Sequence, residues 1–199
     1  MNFWDKIAGL YDIAEAFNGK VYSQLTRAVA KLTLEGARVL DCAAGTGNLS
    51  LAAAEKAQSV VCTDASEKML KQAEKKAAAK GISNISFEIR DIYRLCDEDE
   101  SYDTVIAGNV LHLLPDPEGA IKELYRVTKK GGRLLLPTFI TGEKNLPLLK
   151  LYKLIGFNPE KGYTYQEYVE MLKNCNLGKI RAKTIDGMVP CCFAVMYKK

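Results

Sequence analysis

Between positions 3 and 33, apolar residues recur at steps of three and four: Ile7, Leu10, Tyr11, Ala14 and Phe17, then Val21, Leu25, Ala28, Val29 and Leu32. That spacing puts them on one face of a helix. Asn18-Gly19 interrupts the run and predicts a break between two helices. From residue 38 the pattern changes. Short β runs at Arg38–Cys42, Ser59–Thr63, Ile85–Ile89, Tyr102–Ala107 and Arg133–Phe139 alternate with helical stretches at 48–56, 68–80 and 117–128. Ser66 is the predicted N-cap of the second helical stretch and Gly81 its stop. Pro117 in the first turn and Gly131-Gly132 past the end bracket the third. Strands that alternate with helices need crossover connections, which give a mostly parallel sheet with helices on both faces.

The tail breaks the alternation. Tyr165–Asn174 reads as a helix, and Lys179–Ile185 and Cys191–Tyr197 as two strands joined through Asp186-Gly187, a hairpin signal. The predicted fold class is α/β: a Rossmann-like, doubly wound, mostly parallel seven-stranded sheet with a C-terminal antiparallel hairpin. No repeat, low-complexity segment or linker divides the chain, so residues 1–199 are read as one domain.

Composition narrows the classes. A chain of 199 residues can bury one core without disulfides or metal. With 48% apolar and 26% charged residues it is a folding composition. The net charge of +4 is mild, and no basic-aromatic stripe accompanies it, so no nucleic-acid partner is expected. No apolar run approaches the roughly 18 residues of a membrane span, and the start Met-Asn-Phe-Trp-Asp-Lys lacks the pattern of a secretory signal. Neither membrane insertion nor secretion is expected. The six cysteines have no C-x-x-C spacing, and Cys191-Cys192 are adjacent. They are read as reduced, small apolar residues in a cytoplasmic protein, with no metal site.

The candidate chemistry lies at the end of the first strand. In such sheets ligands bind outside the carboxyl ends of the strands. There Val39-Leu-Asp-Cys-Ala-Ala-Gly-Thr-Gly47 forms a Gly-rich loop. Gly45 and Gly47 allow turns and close backbone approach. Asp64, at the end of the second strand, can accept both ribose hydroxyls of an adenosine, the general nucleoside pattern. Forced onto G-x-G-x-x-G, the loop reads Gly45-x-Gly47-x-x-Ser50 and lacks the last glycine. Asp41 would also repel a pyrophosphate. S-adenosylmethionine has no phosphate and carries an ammonium and a sulfonium, which Asp41 attracts. It is the preferred cofactor. An NAD(P)-binding oxidoreductase is the alternative, and a protein that holds the cofactor without turnover is a third reading.

On these residues the chain resembles the class I S-adenosylmethionine-dependent methyltransferases, in the methyltransferase type 11 group that includes the ubiquinone/menaquinone-biosynthesis C-methyltransferases. The loop resembles that family's D-x-G-x-G-x-G motif, with Ala43 in place of its first glycine, tolerable if φ stays negative. Asp64 resembles the ribose acid, and Ala65 and Met69 its adenosine-lining stretch. Arg90-Asp91-Ile92 resembles the third-strand end, which implies Asp91 on the adenine amino group and Ile92 on the ring. Tyr102–Asn109 resembles the fourth strand, which brings Asn109 to the cleft as a cofactor or substrate contact. Leu124–Arg133 resembles L-x-R-V-L-K-P-G-G, with Lys130 where proline is usual. Ala8-Gly-Leu-Tyr-Asp12 resembles A-x-x-Y-D, so that Tyr11 either closes over the methionine end or sits in the core.

The resemblance implies a division into a helical lid (1–35), a cofactor-binding core (36–139) and acceptor-side helices with the terminal hairpin (140–199). His112, the only histidine, has an unperturbed pKa suited to a general base, but it reads equally as a substrate contact or a structural residue. The acceptor is expected to be a small soluble molecule, because residues 140–165 carry no long apolar insertion. Leu146–Ile155 is a candidate pocket wall, or a helix packed on the sheet. A quinone or RNA methyltransferase remains an alternative, and the protein is expected to be a monomer or homodimer. The acidic run Asp97–Glu100 reads as a solvated loop.

Overall fold

A computed structural model of the chain describes residues 4–5, 8–9, 16–140 and 161–199. Trp4, Asp5, Ala8 and Gly9 are helical, and helix α1 spans Gly19–Leu32. Its buried face, Val21, Leu25 and Val29, follows the predicted four-residue step. Asn18 is the N-cap at the predicted break. Its side chain does not cap the helix, because it is used across the fold: Nδ2 donates to the Val189 carbonyl at 2.7 Å. Gly187 lies against the same place, where a Cβ would stand 2.2 Å from Val21 Cγ2. A side chain there would push α1 off the C-terminal strands.

The alternation then follows as β1 (Arg38–Cys42), α2 (Asn48–Ala54), β2 (Ser59–Asp64), α3 (Glu67–Ala79), β3 (Ile85–Ile89), β4 (Tyr102–Ile106), a 3-10 turn (Leu111–Leu113), α4 (Pro117–Val127) and β5 (Thr128–Phe139). Ser66 caps α3 by accepting from the Met69 amide at 3.2 Å. Helix α5 (Tyr165–Asn174) opens with a capping box formed by Thr164 and Glu167. Strands β6 (Lys179–Ile185) and β7 (Cys191–Tyr197) form the hairpin.

All seven strands join one sheet in the order β3-β2-β1-β4-β5-β7-β6. The first five are parallel. β7 runs antiparallel between β5 and β6, so the hairpin is built into the sheet rather than appended to it. Alternate residues of each strand feed two cores. Leu40, Val105, Leu134 and Leu136 pack with α4 and α5 on one face. Val39, Ile106 and Leu135 pack with α1 and α2 on the other. Each such buried aliphatic side chain stabilises the fold by about 1.5–3 kcal/mol.

Two expectations need correcting. The fifth strand begins at Thr128, directly after α4, rather than at Arg133. Tyr102 pairs with Thr128 and Thr104 with Arg133, so β5 advances five residues while β4 advances two. The surplus forms a bulge that Gly131 (φ 75°) turns, and a Cβ on Gly132 would stand 2.8 Å from the Lys129 carbonyl oxygen. The glycines shape the strand instead of ending the helix. The solvated acidic run needs correcting at Asp97 alone, which accepts from the Arg90 guanidinium and from Tyr102 Oη, whereas Glu98, Asp99 and Glu100 are exposed as expected. The predicted helix Leu146–Ile155 lies outside the described residues. Among the described residues, no helix is long and apolar enough to cross a membrane. All six cysteines are free thiols, and Cys96 alone of them is exposed.

Candidate functional site

A cleft of about 590 Å³ opens at the carboxyl ends of β1 to β4, a size suited to a nucleoside-sized ligand. Each strand end contributes: Ala43 and Gly45 after β1, Asp64 and Ala65 after β2, Asp91 and Ile92 after β3, and Gly108 and Asn109 after β4. Met69 reaches in from α3, and Trp4 from the N-terminal segment. A small polar recess joins the cleft where Asp41, Asn48 and Tyr22 meet Ala43, Gly45 and Asn109.

The loop after β1 is built from left-handed residues: Ala43 (φ 51°), Gly45 (56°) and Gly47 (77°). The condition under which Ala43 is tolerable, a negative φ, is not met, because the turn demands the conformation its missing glycine would adopt freely. Holding an L-residue there costs about 1–2 kcal/mol. Gly47 has a different job from Gly45. A Cβ on it would stand 2.7 Å from Ala73 Cβ. Gly47 therefore lets α3 approach the loop, and it caps α2 rather than facing the cleft.

Asp64 ties two strand ends together. Its Oδ2 accepts from the Gly45 amide and its Oδ1 from the Ser66 amide, both at 2.8 Å. Each oxygen keeps a lone pair for a further donor. Burial raises its pKa, while the amides of Ser66, Gly45 and Ala65 work against that. Asp64 thus ties the turn into α3 and lines the cleft at once. Asp41 is deeper, at 1% exposure. Its Oδ2 accepts from Ser50 Oγ at 2.6 Å, and its Oδ1 has no partner among the described residues. Burial pushes its pKa up to about 7, against the Ser50 hydrogen bond. Asn109, left-handed at φ 54°, is buried with its Oδ1 equally unpartnered. Two acceptor oxygens therefore sit unsatisfied on side chains that line one recess, an arrangement that calls for a donor.

The other predicted residues divide. Ile92 is buried in the cleft wall, and Asp91 stands at its exposed rim, where Oδ1 accepts from the Tyr93 amide at 2.9 Å. His112 is buried at 4% exposure, and its ring packs edge-on against Phe139 at 6.3 Å. It lines neither the cleft nor the recess. Burial lowers its pKa to about 4, so it is neutral at physiological pH and weakly basic. Both facts weigh against the general-base reading and favour the structural one. Tyr11 lies outside the described residues.

Sequence reasoning passed over Trp4, Tyr22, Asn48 and Lys76. Tyr22 follows a buried helix position and reads as surface by periodicity. It lies in the first turn of α1 and lines the recess, and its ring meets that of Phe139, the last residue of β5, edge-on at 6.1 Å. The N-terminal segment is held over the cleft by Ser66 Oγ, which donates to Asp5 Oδ1 at 2.6 Å. Only the polar N-cap at Ser66 could have signalled such a contact.

The model of a methyltransferase domain family matches residues 34–178. The first curated relatives, from Mycobacterium tuberculosis and Mycobacterium bovis, are 36% identical over 99 residues, which is 50% of this chain and 36% of theirs. The chain thus spans little more than a third of their length. A demethylmenaquinone methyltransferase of Clavibacter sepedonicus is 35% identical over 143 residues, 69% of this chain and 57% of that protein. A solved SAM-dependent methyltransferase from Thermotoga maritima has the same fold, with a TM-score of 0.74, 19% identity and 99% of both chains covered.

Proposed function

The chain belongs to the methyltransferase domain family, and on that premise we propose that its cleft holds S-adenosylmethionine and that it methylates a small-molecule nucleophile. The observation that carries this reading is the pair of unsatisfied oxygens, Asp41 Oδ1 and Asn109 Oδ1, at the recess. An ammonium supplies the donors they lack. A pyrophosphate would bring more acceptors to acceptors, beside a carboxylate that repels it. The residues present therefore fit the cationic cofactor and not the dinucleotide.

Asp41 and Asn109 hold the amino end, with Tyr11 as the residue proposed to close over it. Asp64 takes the ribose hydroxyls on the lone pairs its backbone partners leave. Ala65, Met69 and Ile92 pack on the adenine, with Asp91 at its amino group. Ala43 and Gly45 give the close backbone approach, and Gly47 supports them from behind. The cofactor supplies a methyl group on sulfonium sulfur, which is already a good leaving group.

What this chain adds is positioning and the exclusion of water by Trp4, Leu113 and Leu114. Transfer to a thiolate, amine or carbanion needs no base, and a base at His112 would have to work from beside Phe139 with a pKa of about 4. We read His112 as a buried structural residue packed on Phe139. The acceptor is a small soluble molecule. A quinone acceptor is the second reading, favoured by the name of the Clavibacter sepedonicus relative.

The test is release of S-adenosylhomocysteine with a panel of thiol, amine, phenol and quinol acceptors, chosen with mass spectrometry of any small molecule that co-purifies. Turnover with one soluble acceptor class supports the proposal. Tight cofactor binding without turnover on any of them makes the protein a holder of the cofactor instead.

A further inference from the structure

We infer that Lys76 is a positioning residue that holds the β1 loop in its ligand-binding shape from the side away from the cleft. Its Nζ donates to Thr46 Oγ1 at 2.9 Å and to Asn48 Oδ1 at 2.7 Å. Thr46 is buried at the apex of the loop, and Asn48 opens α2 and lines the recess. Lys76 lines neither cavity.

The approach is prepared by sequence one turn earlier on α3. Ala73 packs where Gly47 has no Cβ, and Lys76, three residues on, lies on the same helix face. The bare glycine brings the helix close, and the lysine then fastens the loop. A cation near the amino end of α2 opposes that helix's dipole, and the hydrogen bonds to Thr46 and Asn48 offset this.

The loop needs fastening because its shape is costly. Ala43, Gly45 and Gly47 all take positive φ, and Ala43 does so against its own Cβ. On the cleft side, Asp64 holds the Gly45 amide. Within the loop, the Gly47 amide bonds the Ala44 carbonyl at 2.9 Å. Lys76 adds a hydrogen bond to Thr46 and another to the Asn48 side chain, and so ties both ends of this stretch to α3. Without it a smaller fraction of molecules holds the competent loop, and apparent affinity falls by that fraction.

This inference rests on the proposed cofactor, so the experiment carries two readouts. Lys76→Met keeps the aliphatic stem and removes the donors. Lys75→Met, on the exposed face of the same helix, removes the same charge as a control. Titration calorimetry with S-adenosylmethionine should show affinity about tenfold weaker for Lys76→Met, with kcat at saturating cofactor within about twofold and partial recovery in Lys76→Arg. Hydrogen exchange at the Gly47 amide should quicken in Lys76→Met alone. Affinity within about twofold of wild type, or equal losses in both Met variants, would overturn the inference. If the wild-type protein does not bind S-adenosylmethionine, the proposed function fails, and exchange at Gly47 still decides: unchanged exchange refutes the role of Lys76, and faster exchange upholds it.

Discussion

The pKa of Asp41, raised to about 7 by burial, makes cofactor binding proton-linked. An incoming ammonium pairs with the carboxylate form alone, so the free protein must first lose a proton wherever the pH lies below that value. With a free-state pKa of about 7, half the molecules are ready at pH 7 and roughly 3% at pH 5.5. Affinity should therefore fall about sixteenfold across that interval, provided the bound-state pKa lies below it. The window also keeps the ligand's own amine charged, since α-amino groups titrate at about 7.7–8. His112 titrates near 4 and stays neutral across most of it. Asp64 and Asp5 face the neighbouring strand end, so the control that isolates the effect is Asp41→Asn. Calorimetry in buffers of different ionisation enthalpy should show proton release on wild-type binding below pH 7. In Asp41→Asn, binding should be weaker at pH 7 and much less pH-dependent. A flat wild-type profile from pH 5.5 to 7 would refute the linkage.

The same group predicts a trade of stability for binding. A carboxyl whose folded pKa lies above its unfolded one stabilises fully below about pH 4, and that contribution is lost as pH rises through about 7. The bound for Asp41 is about 4 kcal/mol, so Asp41→Asn should raise the urea midpoint at pH 8 and leave it nearly unchanged at pH 4. His112 acts in the opposite sense: its folded pKa is depressed, so its contribution is present above pH 6.5 and lost toward pH 4, by about 3 kcal/mol. Urea titrations of His112→Gln against wild type at pH 7 and pH 4.5 should show a stability deficit that shrinks on acidification, and a constant deficit would contradict this. Ala43→Gly should relieve the left-handed strain and raise stability by about 0.5–1 kcal/mol, net of unfolded-chain entropy, with cofactor affinity kept. Gly47→Ala should destabilise by about 2 kcal/mol or more in the same assay, from both the Ala73 contact and the positive φ.

Much of the fold was legible because strand and helix periods differ. Alternating Val39-Leu40 and Leu134-Leu135 do feed opposite cores, and the cap at Ser66 marks a helix start in the sequence itself. The β5 bulge was not legible, because Gly131-Gly132 after a helix signals a stop by local rules, and only the β4 register shows that it bends a strand. At the site, Asp41, Gly45 and Asp64 were legible from chemistry and spacing. The positive φ of Ala43 was not, since a methyl predicts the opposite. Tyr22, Trp4 and Lys76 escaped because their roles depend on distant partners, with Lys76 reaching residues 28 and 30 positions away. His112 drew attention as a lone histidine, and its burial beside Phe139, away from both cavities, weighs against a base there.

The cleft's identity as an S-adenosylmethionine site is tested most directly by titration calorimetry of the purified protein with that cofactor, beside Asp64→Ala. Saturable binding at one site per chain is predicted for wild type. In the variant, loss of both the ribose acceptor and the Gly45 tie should weaken affinity at least about tenfold. Unchanged affinity in Asp64→Ala, or binding of NADH with none of S-adenosylmethionine, would contradict it.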